Sequence, residues 1–429
     1  MYPIILESEH NGLSWDEVLH ALKQSLQTHK KVLLVPPDIT RLNSGAGRIA
    51  AMYYTILTKA GVWVDVLPAL GTHRPMTRDE QVTFFGSEIP PERFLVHRWR
   101  DGATSIGNIP AALVKEASKG LMDQSIPVQV SNYLLDPSYD LILSIGQVVP
   151  HEVVGMANFT KNIVVGCGGS GFINASHMIS ALHNMERIIG CVDTPVRRLF
   201  DYAEENFISK MPLVYVLTVT VTTEKQVDIM GLYIGGSGNS GGREAFEHAA
   251  ALSQKLNTTS VARLIETCVV WLDDVNYHSI WVGNKSVYRT RLAMAEGGNL
   301  LVLAPGVKVC CEDEENDRLI RKYGYAGREQ VLRLLKTNAD LKTNLSAAAH
   351  LIHGSSEGRF NITYAAPLLG RATVESIGYK YAGLDEMIRK YNPRTLKPGF
   401  NSLPDGEEIY YTPNPALGLW KYGLCGVHL

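Results

Sequence analysis

The sequence predicts an α/β protein of two domains, each a mostly parallel sheet flanked by helices, with the active site in the cleft between them. Three observations carry this. Short apolar runs of strand length alternate with helical patterns from the start of the chain. The alternation restarts near residue 262. The length, 429 residues, exceeds what one hydrophobic core usually serves. The expected division is 1–262 as an N-terminal cofactor-binding domain, 263–389 as a second α/β domain, and 390–429 as a tail packing back on the first.

The elements follow in order. "LSWDEVLHALKQSLQ" (13–27) has helical spacing, with Ser14 as N-cap and Glu17 at the capping-box position. "KVLLVPP" (31–37) is an apolar strand stopped by prolines, "SGAGRIAAMYYTILTKAG" (44–61) a Gly-rich turn and helix, and "VWVDVLPAL" (62–70) the next strand. "DLILSIG" (140–146) and "NIVVG" (162–166) read as buried strands, and "NASHMISALHNMERIIG" (174–190) as a helix. "PLVYVLTVTVT" (212–222) and "VDIMGLYIGG" (227–236) read as an antiparallel hairpin around "TEKQ". In the second block "TCVVWL" (267–272) is a strand, "SVYRTRLAMAEGG" (286–298) a helix and "NLLVLAP" (299–305) a strand. Helices follow at 312–324 and 328–337.

Composition narrows the function classes. Lys and Arg total 41 against 43 Asp and Glu, so no basic field invites nucleic acid. No run approaches the roughly 18 apolar residues of a membrane span, and the first residues lack the pattern of a signal peptide. Cys167, Cys191, Cys268, Cys310, Cys311 and Cys425 form no C-x-x-C pair, which points to a reduced, cytoplasmic compartment.

Candidate chemistry collects at strand ends. "PPDITRLNSGAGR" puts Asp38 and Arg41 just past the carboxyl end of a strand, where open α/β sheets bind ligands. Arg41 suits a carboxylate or phosphate; the plainer reading is an Asp N-cap with an Arg partner. "ALGTHRPMT" puts Thr72 and His73 past the next strand, where a His serves as a general base or simply bonds the backbone. His151, Lys161 and His177 sit on three further loop ends beside the glycine-rich "GCGGSG", which includes Gly168 and Gly169. Two His and a Lys suit a metal site, a Schiff base or an acid/base pair, and the spacing selects none of these. "HGSSEGRFN" (353–361), with His353, Glu357 and Arg359, reads equally as a lid or a solvated turn.

Together "PPDITR", "LGTHRPMT", "PHEVVGMANFTKNIVVGCGG" and the following "SH" occur in the order seen in the lactate racemase family, which the chain resembles across roughly 30–190. The resemblance implies a nickel-pincer nucleotide, a pyridinium mononucleotide with thioamide and thiocarboxylate arms. Lys161 would attach it and His177 would be the protein ligand to nickel. Thr72, Gly168 and Gly169 would lie near it. His73 and His151 would be the paired acid/base residues, and Arg41 would hold the substrate carboxylate beside Asp38. Implied partners are a small 2-hydroxy acid and the proteins that make the cofactor; oligomeric state stays open. Lactate-specific members carry Tyr-Gln and a Lys three residues on. Here the stretch reads Tyr288-Arg289, with Leu292 in the Lys place, and Asn284, Lys285 and Arg291 add donors. These differences imply a larger substrate, such as an aldonate, instead of lactate or malate. Rival readings are direct proton transfer by the His pair without the nucleotide, and a non-catalytic hydroxy-acid-binding protein.

Overall fold

The computed structural model describes residues 3–222 and 226–423. The chain divides into two compact units. The first comprises residues up to Ile179 together with Ile188–Leu256; the second comprises Ser180–Arg187 and the chain from Asn257 onward.

The first unit opens with β1 (Ile4–Glu7) and helix α1 (Trp15–Gln24), whose Ser14–Glu17 capping box forms as the spacing predicts. Then come β2 (Lys31–Val35), α2 (Ala46–Lys59), β3 (Trp63–Val66) and α3 (Arg78–Phe85). β4 (Ala103–Ile109) and β5 (Ile126–Ser131) pair antiparallel around α4 (Ala111–Ala117). The chain re-enters the main sheet as β6 (Leu141–Gln147) and makes the small hairpin β7 (Pro150–His151) and β8 (Gly155–Met156). It continues through α5 (Ser170–Leu182) and α6 (Pro195–Asn206). β9 (Leu213–Thr222) and β10 (Val227–Gly236) form the expected antiparallel pair, and α7 (Gly242–Leu256) closes the unit. Of the turn "TEKQ", the first three residues lie outside the described residues.

The main sheet runs β1-β10-β9-β6-β2-β3, parallel from β9 to β3 and antiparallel at the β1 edge. Side chains on β2 alternate between two cores. Leu33 and Val35 join the cluster under α5, α6 and α7; Val32 and Leu34 join the one under α1, α2 and α3. Burial on both faces explains the unbroken apolar run "VLLV". From β2 the chain moves outward to β3, then returns to place β6 on the other side of β2. The topological switch point therefore lies between the carboxyl ends of β2 and β6, the usual ligand crevice of such sheets.

The second unit is built on the sheet β15-β14-β13-β12-β17-β16. Its strands are β12 (Ile265–Trp271), β13 (Met294–Leu303), β14 (Asn361–Ala365), β15 (Lys380–Tyr381), β16 (Gly399–Ser402) and β17 (Glu408–Thr412). Only the β16/β17 pair is antiparallel. β11 (Thr258–Val261) pairs with β18 (Leu419–Tyr422).

Several expectations need correction. "NIVVG" is not a strand but a wide helical turn, Asn162–Gly166, in which the Cys167 amide donates to the Asn162 carbonyl. β2 already has β3 and β6 on its two sides, so the segment cannot pair with the strand whose end it covers. The helix expected at 174–190 instead spans Ser170–Leu182. The helix expected at 286–298 ends at Thr290, and strand structure begins at Met294, where β13 pairs with β12. The boundary between units lies at Leu256, with a short excursion of Ser180–Arg187 into the second. The supposed separate tail supplies β16, β17 and β18, which pair inside the second unit, because Tyr410 and Tyr411 are buried against β12.

Candidate active site

The site residues of the first unit gather at the switch point. After β2, Pro36 and Pro37 stop the strand, and Asp38 caps the tight turn Ile39–Ser44 by accepting from the Thr40 amide. The Asp38 carboxylate also accepts from the Thr40 hydroxyl and, at 2.6 Å, from Nδ1 of His73. Burial alone would raise the Asp38 pKa; the facing His73 and the hydrogen bonds from His73 and Thr40 outweigh it and hold the carboxyl low. A carboxylate can only accept, so His73 carries a proton on Nδ1; in the neutral ring this leaves Nε2 as a lone pair. Its turn is anchored by the Gly71 amide donating to the Gly166 carbonyl. Thr72 lies partly exposed in that turn.

His151 follows β6 and lies buried in the β7/β8 hairpin. Its Nδ1 accepts from the Val153 amide at 3.1 Å, so the neutral ring carries its proton on Nε2, 3.8 Å from the Glu152 carboxylate. The two histidines thus present opposite faces of imidazole chemistry: His73 a lone pair, His151 an N–H.

Lys161 stands on a loop lying over the switch point. Asn162 Nδ2 donates to the Val35 carbonyl at the end of β2 and to the Ser144 hydroxyl on β6. Gly146 makes room for the same loop: a Cβ there would lie 2.1 Å from Nδ2 of the Asn158 side chain. Burial pushes the Lys161 amine down to about 8, helped by the charges of Arg41 and Arg197 and opposed by Glu152 and Asp38. An ordinary lysine is almost wholly charged at neutral pH; this one has a usable neutral fraction.

His177 lies in the second turn of α5. Its Nδ1 meets the Ile173 carbonyl at 2.7 Å, which requires a proton on that nitrogen and leaves Nε2 as a lone pair. Burial pushes its pKa down to about 4, against the Ile173 bond; Lys161 adds to the lowering and Glu152 opposes it. A neutral imidazole with one nitrogen fixed by a backbone carbonyl is the usual form of a metal-ligating histidine. Among the described residues no group of three or more His, Cys, Asp or Glu gathers to hold a metal.

Gly168 and Gly169 have a reason inside the chain itself. A Cβ on Gly168 would lie 1.8 Å from the Val164 carbonyl oxygen, and one on Gly169 2.6 Å from the Gln129 side chain. Their small size serves the turn after Asn162–Gly166, whatever else lies beside them.

Tyr288 and Arg289 belong to the second unit, both buried on the helix Lys285–Thr290. Tyr288 meets the rings of His350 and His353 edge-on. Of the extra donors, Arg291 is engaged internally with Glu186 and the Ser355 carbonyl; Asn284 accepts through Oδ1 from the hydroxyls of Tyr364 and Tyr379, and its Nδ2 has no hydrogen-bond partner among the described residues. In the segment 353–361, His353 closes a helix, while Arg359 pairs with Glu186 and Glu296. Sequence reasoning missed Glu152, which influences both Lys161 and His177, although it stands within the quoted "PHE". It also missed Arg197 and Glu204, which carry no motif.

Residues 17–189 match the lactate racemase N-terminal domain family. Among solved structures, a protein from Thermotoga maritima shares 25% identity, covering 97% of this chain and 100% of that one, with a TM-score of 0.83. The lactate racemase apoprotein from Thermoanaerobacterium thermosaccharolyticum shares the fold at 17% identity, covering 96% and 94%, with a TM-score of 0.67. No curated protein matches.

Proposed function

We propose that this chain, whose residues 17–189 match the lactate racemase N-terminal domain family, is a racemase or epimerase that inverts C2 of a 2-hydroxy acid. The observation that carries the reading is the meeting at one switch point of an Asp38–His73 pair, His151, Lys161 and His177.

The chemistry asks for these groups. The C2 hydrogen of a 2-hydroxy acid is hard to remove as a proton beside a charged carboxylate. Departure as hydride is easier if a base takes the hydroxyl proton at the same time. His73 offers a lone pair on Nε2, with Asp38 stabilising the imidazolium that forms. His151 would return the proton from its imidazolium form, since a neutral imidazole does not give up its remaining N–H. As an imidazole and imidazolium pair, each would act as base for one enantiomer and acid for the other. Arg41 is the group to grip the substrate carboxylate.

The residues fit the nickel-pincer nucleotide. Lys161, with its amine lowered to about 8, would carry it through a thioamide, and His177 Nε2 would ligate the nickel. Bound there, the cofactor would supply the hydride acceptor that no amino-acid side chain provides. Thr72, Gly168 and Gly169 would lie along it.

For the substrate we favour a sugar acid such as an aldonate. Tyr288 followed by Arg289 replaces the Tyr-Gln of lactate-specific members, and Arg289 adds donors where a Gln would stand. The test is C2 inversion across lactate, malate and aldonates with nickel-loaded protein. Turnover of aldonates with C2 deuterium retained supports the reading. Activity on lactate alone removes the sugar-acid substrate, and wash-in of solvent deuterium at C2 points to direct proton transfer.

A further inference from the structure

The loop that presents Lys161 is held in an unusual shape from below. Asn158 and Phe159 both adopt left-handed backbone, with φ of 65° and 56°. Two consecutive non-glycine residues in that region are costly and persist only where surroundings impose them. Here α6 supplies the surroundings. Arg197 Nη2 donates to the Met156 carbonyl at 2.6 Å, at the start of the loop. Glu204, seven residues on and so two turns along the same face, accepts from the Thr160 hydroxyl at 3.2 Å, at its end. The spacing of the two side chains on α6 matches the two ends of the loop.

Between these points Phe159 is locked among rings. It lies 4.5 Å from Tyr215 and stacks on Phe246 at 5.0 Å, and the Arg197 guanidinium sits over the same Phe246 at 4.5 Å. Tyr215 donates to Glu204, as does the Gly238 amide at 3.3 Å. Arg197 is 1% exposed, and its Nε and Nη1 have no hydrogen-bond partner among the described residues. Burying a guanidinium so incompletely paired is expensive. Packing alone would be better served by an apolar side chain. A role in fixing the loop explains why charge stands there.

We propose that Arg197 and Glu204 are positioning residues for Lys161: they hold loop 156–161 in its left-handed form, so that the Lys161 amine stays beside Arg41, Asp38 and Glu152 for attachment of the cofactor. The proposal rests on the reading of Lys161 as the attachment point.

The experiment co-expresses variants with the cofactor-making proteins and measures adduct on the Lys161 peptide by mass, alongside amide hydrogen exchange of the apo-protein. Glu204→Ala and Thr160→Val are expected to cut adduct occupancy at least about fivefold, the effect of losing one hydrogen bond. Both should speed exchange across 156–162 while the amides of β6 keep wild-type protection. Glu204→Gln and Thr160→Ser, which keep an acceptor and a hydroxyl, should restore occupancy. If Glu204→Ala does not fold, Thr160→Val breaks the same contact alone. Wild-type occupancy and exchange in folded Thr160→Val would overturn the proposal. Absence of adduct in the wild type would instead overturn the attachment role of Lys161, and the exchange data would still decide whether the clamp holds the loop.

Discussion

Asp38 and His73 are joined by a 2.6 Å hydrogen bond from Nδ1 to a buried carboxylate. The bond fixes the His73 tautomer and brings its free nitrogen to the switch-point crevice. Asp38→Asn keeps the shape and removes the charge. It should lower kcat by roughly a hundredfold or more, within the range of general acid–base contributions, with a smaller change in KM. Steady-state kinetics on the best substrate checks it.

The same carboxyl makes a prediction for acid stability. Its folded pKa lies below the ordinary 3.8, so its stabilising contribution is complete above the unfolded value and is lost as pH falls through the folded one. Wild type should lose more stability than Asp38→Asn on going from pH 5 to below pH 3. Thermal unfolding of the two proteins across that window measures the difference.

Lys161 predicts a slope of the same sign at alkaline pH, stability rising with pH. The unfolded chain holds the proton more tightly than the folded one, with pKa 10.5 against about 8. The charged amine therefore costs stability below pH 8, and the cost fades between pH 8 and 10.5. Lys161→Met in the apo-protein should be more stable than wild type at pH 7 by about 1–3 kcal/mol, allowing for screening by water. The gap should close as pH approaches 10.5. Equal stability at pH 7 would contradict the lowered amine.

His177→Ala should fold and still take the adduct on Lys161, but should retain little nickel after desalting. Metal analysis together with the mass of the Lys161 peptide separates the two roles. The Ile173 carbonyl loses the imidazole but keeps the Ser176 hydroxyl as a donor, so a stability loss of no more than about 1 kcal/mol is expected.

Gly168→Ala should destabilise strongly, by about 2 kcal/mol or more, because its Cβ would fall 1.8 Å from backbone at Val164. Gly120→Ala offers the control: φ is 82°, so backbone strain applies, yet no atom lies within 4 Å. A larger loss at Gly120 would contradict the packing reason given for Gly168.

Much of this was legible in the sequence. The apolar runs of β2, β3 and β6 report burial on both faces, and the polar residues just past them report the crevice. Asp38, His73 and His151 were legible for that reason. "NIVVG" was misread because its composition is that of a strand, and only the occupied neighbours of β2 forbid pairing. The strand at Met294 was hidden by residues that suit a helix equally well. The tail was misassigned because its tyrosines signal packing but not against what. Arg197 and Glu204 follow helical spacing but lie far along the chain from Lys161, and only the folded structure brings α6 beneath that loop.

Everything proposed for this switch point depends on Lys161 as the attachment point of the cofactor. The most direct measurement is the mass of the Lys161 peptide from protein co-expressed with the cofactor-making proteins, with nickel measured on the same sample. The account predicts an adduct on Lys161 with bound nickel in the wild type, and a folded Lys161→Ala protein with no adduct. An active wild-type enzyme whose Lys161 is unmodified would contradict it.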